Sequence, residues 1–150
     1  MSGHMNQKPS ESLSVLGTMD PVSVAASTVV STWVPAKNHF TFMALLMTGV
    51  LGAAATVDAK LQQAQDSAGT GAKDIAGKAI TQIVKATGDN KQAIINAKVS
   101  DLDTEGGFGY IAISLTVGTA ASIVGAAIFG ASARFEDAAQ FNQAAVKQVV

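Results

Sequence analysis

The sequence predicts a mostly β protein, a single antiparallel sandwich or barrel, on three observations. Strict alternation runs from Phe108 to Val117, with Ile111, Ile113, Leu115 and Val117 on one face and Ala112, Ser114 and Thr116 on the other. Thr56 to Gln63 repeats the period of two, Val57, Ala59 and Leu61 opposing Asp58, Lys60 and Gln62. Between such segments stand turn signals rather than helical patterns, which is how all-β domains read.

The elements follow in chain order. Met1 to Met5 contain Ser2-Gly3-His4-Met5, which reads as a vector scar and removes His4 from functional argument. Asn6 to Val22 is polar and broken by Pro9, Gly17 and Pro21, so residues 1–22 are expected to be scar plus flexible arm. Deleting residues 6–22 is therefore expected to weaken assembly and leave the body folded. Thr28 to Val34 is β-branched and stops at Pro35, a first strand. His39 to Val50 is strongly apolar, and the strand Thr56 to Gln63 follows a turn of small residues. Asp66 to Gly77, with three glycines, reads as a long surface loop. Lys78 to Lys85 and Gln92 to Ser100 flank Gly88-Asp89-Asn90 and are expected to form a hairpin. Ser122 to Phe129 reads as the last strand of a body spanning 23–133. Arg134 to Val150 is a polar, alanine-rich tail, either a short helix or extended.

Composition restricts function. The chain has 150 residues, about one domain, and only 14% are charged against roughly a quarter in an ordinary soluble domain. Too little charge is present to cover the surface, so other protein is expected to cover part of it. A net charge of -1 supplies no footprint for nucleic acid, and direct binding to it is not expected. Cysteine is absent, which excludes disulfides, thiolate catalysis and Cys-based zinc sites. No basic segment followed by an apolar one opens the chain, so a signal peptide is not expected and synthesis is placed in the cytoplasm.

Two charge-free runs, His39 to Val57 and Phe108 to Ala133, are each long enough to span a bilayer, and a two-span, holin-like protein is the membrane alternative. Gly118 with Ser122 and Ala126 with Gly130 even have the four-residue spacing of membrane helix contacts. The alternation from Ile111 to Val117 belongs to a sheet instead, and basic flanks are missing. No membrane partner is expected.

Residues for catalysis are equally scarce. With His4 set aside only His39 remains, read as a strand-end histidine bonded to backbone or water. Asp101, Asp103 and Glu105 alternate before Gly106-Gly107 and are a Ca²⁺ candidate, but their spacing departs from an EF-hand loop and a solvated turn is the expectation. Gly77-Lys78-Ala79 lacks the hydroxyl residue of a phosphate loop. Trp33 and Phe40 are expected as core anchors. No catalytic residue, cofactor or enzyme activity is assigned, and the interface residues stay unassigned.

From Lys60 onward the chain resembles a group of small proteins encoded among the structural genes of tailed bacteriophages. The likeness lies in Lys60-Leu61-Gln62-Gln63-Ala64-Gln65-Asp66, in the loop with Gly69-Thr70-Gly71-Ala72-Lys73-Asp74-Ile75, in Asp89-Asn90-Lys91-Gln92, and in Phe108 to Gly118 followed by Arg134-Phe135. The resemblance implies a β-sandwich or jelly-roll-like body with an extended N-terminal arm lacing to neighbours. It further implies a virion component, a capsid decoration or cement protein or a head-tail accessory, oligomeric and partnered by its own copies or the major capsid protein. A tail or fibre module recognising a host surface is the alternative binding role.

Overall fold

The computed structural model describes residues 6–134 and 138–150; His4 and the rest of the leading scar, together with Phe135, lie outside them. Among the described residues the chain forms ten strands: β1 (Leu13–Val24), β2 (Ser27–Val30), β3 (Val34–Pro35), β4 (His39–Thr48), β5 (Thr56–Ala64), β6 (Lys73–Ala79), β7 (Ile83–Val84), β8 (Gln92–Lys98), β9 (Tyr110–Gly118) and β10 (Ser122–Ala133). They make two antiparallel sheets. One has the order β1-β10-β4-β8 and the other β2-β9-β5-β6, with β3 continuing β2 along β9 and β7 continuing β6 along β5. With those two broken strands each counted once, pairing is nested: first with last, second with second-last, and so inward to β5 with β6. Nested pairing split over two sheets is a jelly roll.

Alternation explains the core. Val57, Leu61, Ile111, Ile113 and Leu115 of one sheet are fully shielded, and Phe42, Ala44, Leu46, Ile95, Ala97 and Ile128 meet them from the opposing sheet. Each fully buried aliphatic side chain contributes roughly 2 kcal/mol from water exclusion. Ala112 and Ser114, expected on an open face of β9, are buried as well. β9 is central, and the longer Gln62 and Lys60 stand beside them in register on β5.

Four expectations are corrected, and the membrane alternative finds no support. Leu13–Val24 is the edge strand β1 rather than an arm, because Ser14 and Gly17 are buried beside β10 and Leu16, Met19 and Val24 pack against the core, while Asp20, Pro21, Val22 and Ser23 stay exposed. The body therefore starts ahead of residue 23. The predicted first strand is interrupted after Val30; Ser31 bridges the gap, its amide donating to the Ile113 carbonyl and its hydroxyl accepting from the Ile113 amide. The loop after Asp66 ends earlier than Gly77, since β6 begins at Lys73 and pairs with Gln63. The expected hairpin is a crossover: β7 pairs with β5 and β8 with β4, in different sheets, because Ile95 and Ala97 can reach the core only from the β4 side. Both candidate membrane runs are strands, β4 to β5 and β9 to β10, and no helix of the described residues is long and apolar enough to cross a membrane.

The tail packs onto the first strand. Ala138–Phe141 is a 3₁₀ turn, after which the Gln143 amide donates to the Val15 carbonyl at 2.8 Å and the Val15 amide donates to the Asn142 side chain at 2.7 Å. Deleting residues 6–22 should thus abolish the cooperative fold by stripping β1 from β10. Deleting only residues 6–12 should lower the melting temperature by no more than about 4 °C. Circular dichroism melts of the two truncations check both outcomes.

Candidate interaction surface and the buried histidine node

The two sheets present unlike outer faces. On the six-stranded sheet, Lys60 Nζ lies 3.0 Å and Gln62 Nε2 2.9 Å from the carboxylate of Asp74, Gln82 donates to Asp58, and the hydroxyls of Thr28 and Thr116 are 2.8 Å apart. This is a solvated polar face. Its carboxylates gain from those donors; the Gln62 hydrogen bond, then Lys60, holds Asp74 below the usual carboxylate range.

The four-stranded sheet is the reverse. Met43, Leu45 and Met47 of β4, Ile94 of β8 and Ile123 and Phe129 of β10 point away from the core, and the only charge facing out from these three strands is Lys98. Met47, Ile94 and Ile123 are exposed by 43%, 57% and 44%. At one end the face sinks into an open groove of about 630 Å³ between Leu13, Thr41, Met43, Asn96, Lys98 and Phe129, bordered by Lys78 and Asp101. A contiguous apolar surface of this kind marks contact with protein or another apolar phase. The sequence signal was there: from Phe40 to Met47 β4 carries apolar residues on both faces, whereas a strand with one wet face alternates.

His39 is fully buried at the start of β4. Its Nε2 lies 3.0 Å from Ser14 Oγ, whose hydroxyl donates to the Ala138 carbonyl, so Nε2–H is the donor to Ser14 and Nδ1 carries no proton. Nδ1 has no hydrogen-bond partner, and the edges of Phe42 and Phe141 close around the ring. The node ties β1, β4 and the tail together. It is sealed from solvent with its hydroxyl proton committed to a carbonyl, so it offers a substrate neither access nor a free nucleophile. The expected bond to backbone or water is instead a bond to a serine.

The remaining candidates are scattered. Asp103 accepts from Lys73 Nζ at 2.7 Å and from the Gly106 amide, which lowers its pKa, whereas Asp101 faces Lys78 at 3.6 Å and accepts from the Lys98 amide. Glu105 is exposed, and among the described residues no group of three or more His, Cys, Asp or Glu is placed to hold a metal ion. Phe40 is not a core anchor. It is 52% exposed and lies under the Arg134 guanidinium at 4.4 Å. Trp33 is half-buried, its indole lying against Gly69.

No family model and no curated protein matches the chain. Among solved structures it is similar to a chain of broad bean stain virus, at 12% identity and a TM-score of 0.40, covering 71% of this chain and 63% of that one. It is also similar to TmCBM61, solved with β-1,4-galactotriose, at 14% identity and a TM-score of 0.38, covering 76% and 70%. A third similarity is to infectious bursal disease virus, at 9% identity and a TM-score of 0.39, covering 84% of this chain and 33% of that one. The fold assignment rests on strand order.

Burial lowers the pKa of His39 from its ordinary 6.5. The unfolded chain thus takes up this proton first as pH falls, and stability declines from about pH 6.5 downward until the folded imidazole also titrates. Thermal melts between neutral pH and about pH 5 should show this decline, and His39→Gln should flatten it. The acid loss from Asp66, Asp74, Asp89 and Asp103, all lowered from 3.8, lies at lower pH and should persist in that variant.

Proposed function

We propose that the chain is a structural subunit of a virus particle, a capsid decoration or cement protein that seats the apolar face of its four-stranded sheet on the shell of major subunits. The observation that carries this reading is the contrast between that face, with Lys98 its single outward charge on β4, β8 and β10, and the ion-paired face opposite. Obligate interfaces are apolar in their centres, and a chain with 14% charged residues has an uncovered surface suited to one. The resemblance of residues from Lys60 onward to tailed-phage structural proteins supports a phage particle as the setting. The nested sandwich supplies a rigid body with two broad faces, and the one buried Ser–His contact is closed to substrates. The subunit acts by contact and performs no chemistry.

The test is co-sedimentation of the protein with phage heads stripped of accessory proteins. Met43→Glu with Met47→Glu places two carboxylates at the middle of the face and should weaken binding about tenfold or more. Thr28→Glu, on the polar face, should leave binding unchanged. Equal binding by the Met43/Met47 variant would overturn the reading, as would capture of a host-surface glycan in place of the shell.

A further inference from the structure

The four edges of the sandwich are not equally protected. A free strand edge invites pairing with another chain, and proteins blunt such edges with charge, proline, bulges, short length or a covering segment. β1 has two register shifts and Pro21, and the tail bonds to Val15 along its outer side. β2 is four residues long. β6 carries Lys73, Asp74 and Lys78, a register shift opposite β5, and Gly77 at a φ of 75°. β8 has none of these devices over Gln92 to Asn96. It runs seven residues, keeps one unbroken register with β4, lacks proline, and has Ile94 57% exposed; Lys98 is its one charge, at the end.

Backbone parity says which groups face outward. The Thr48 amide donates to the Lys91 carbonyl, so the residues bonded to β4 are Lys91, Ala93, Ile95 and Ala97 by strand alternation. The amides and carbonyls of Gln92, Ile94 and Asn96 therefore point away from the sandwich and meet no partner among the described residues. The Lys98 amide is already taken by Asp101, which closes that end of the open edge.

From this edge we infer that two copies of the chain join β8 to β8 in antiparallel register about a two-fold axis through Ile94. The inference rests on the assembly reading above for its setting and deepens it by naming the partner at one edge. The register is self-complementary. Ile94 stands opposite its counterpart, Gln92 opposite the second copy's Asn96, and no pair of like charges is opposed, which is what a stable cross-strand ladder requires. An isologous contact of this kind closes at two copies and leaves no open edge for fibre growth. It also continues the sheet as β1-β10-β4-β8-β8-β4-β10-β1, so Ile94 of each copy extends one unbroken apolar face with Leu45, its neighbour in register. The seat proposed for the shell is thereby doubled.

Light scattering on the full chain, isolated from particles, should give twice the mass of one chain. Asn96→Pro removes an amide that the monomer does not use, and Ile94→Lys opposes two cations across the axis; each should raise the dissociation constant at least about thirtyfold. Ile94→Cys, in a chain with no other cysteine, should give a covalent dimer on mild oxidation, as opposed residues of an antiparallel pair lie within disulfide reach. A monomeric wild type, a dimer untouched by Ile94→Lys, or a wild-type dimer whose Ile94→Cys form does not cross-link would each overturn the inference. A monomeric wild type that still sediments with stripped heads leaves the shell-binding reading standing. An Ile94-linked dimer that ignores the heads leaves the edge standing and removes that reading.

Discussion

The pairing of the first strand with the last is the constraint on which the rest of the molecule depends. β1 and β10 are brought together from opposite ends of the fold, yet they adjoin from Leu13 with Ala131 to Val24 with Ser122. Once that pair is set, every later pair is nested inside it, and the split into two sheets follows because each pair must bury one side against the pair before it. The entropy of closing so long a loop precedes the reward from its contacts, so folding of this topology is expected to be slow relative to a helical protein of equal length. The closure is also where the chain places two fully buried polar groups, Ser14 and His39. Ser14 on β1 receives the His39 proton donor and passes its own to Ala138, fastening the tail over the seam that holds the sandwich shut.

Unequal faces follow from unequal pairing. β5, β6 and β7 come from segments rich in lysine, aspartate and glutamine, and their cross-strand neighbours are complementary, so that sheet is finished by its own side chains. β4 and β10 come from the two charge-free runs. Their inner side chains make the core, and among the described residues the tail near Leu13, Val15 and Phe129 is what lies beside their outer ones. Charge is thus scarce on the outward side of β4, β8 and β10, where Lys98 is the single charged residue.

The sheet content and the central strands were legible in the sequence because period two is a local property. Thr56 to Ala64 and Tyr110 to Gly118 match their predicted faces at Val57, Leu61, Ile111 and Leu115. The partners of those strands were not legible. Gly88 to Asn90 turns the chain as its residues suggest, but whether a turn closes a hairpin or carries the chain across to the other sheet depends on which sheet can accept Ile95, a long-range fact. β1 was hidden for a similar reason: Gly17 and Pro21 are loop residues by local chemistry, and an edge strand tolerates them at its bulges because half of its amides need no ladder partner. His39 could be singled out as isolated in sequence, while Ser14 and the tail that enclose it come from the two ends of the chain. The outer face was half visible, in the doubled apolarity of β4 and in a charge count too low to cover a free monomer.

The small residues that imitated a membrane helix contact show how a local motif takes its meaning from the fold. Gly118, Ser122, Ala126 and Gly130 recur at intervals of four along a charge-free run, and in a helix they would form one stripe. In the sandwich they are divided between β9 and β10. A side chain at Gly118 would collide with the Thr56 hydroxyl on β5, and one at Gly130 would come within 2.7 Å of the His39 ring. Ser122 is buried, accepts from the Gly52 amide at 3.0 Å and donates to the Ala120 carbonyl, fixing the turn between β9 and β10. Ala126, on the inner side of β10, is part of the core opposite larger aliphatics. Close approach of backbones is what both environments ask of small residues. The sheet alone explains why each is needed singly and why the residues between them, Ile123, Val124 and Ile128, alternate between outer face and core.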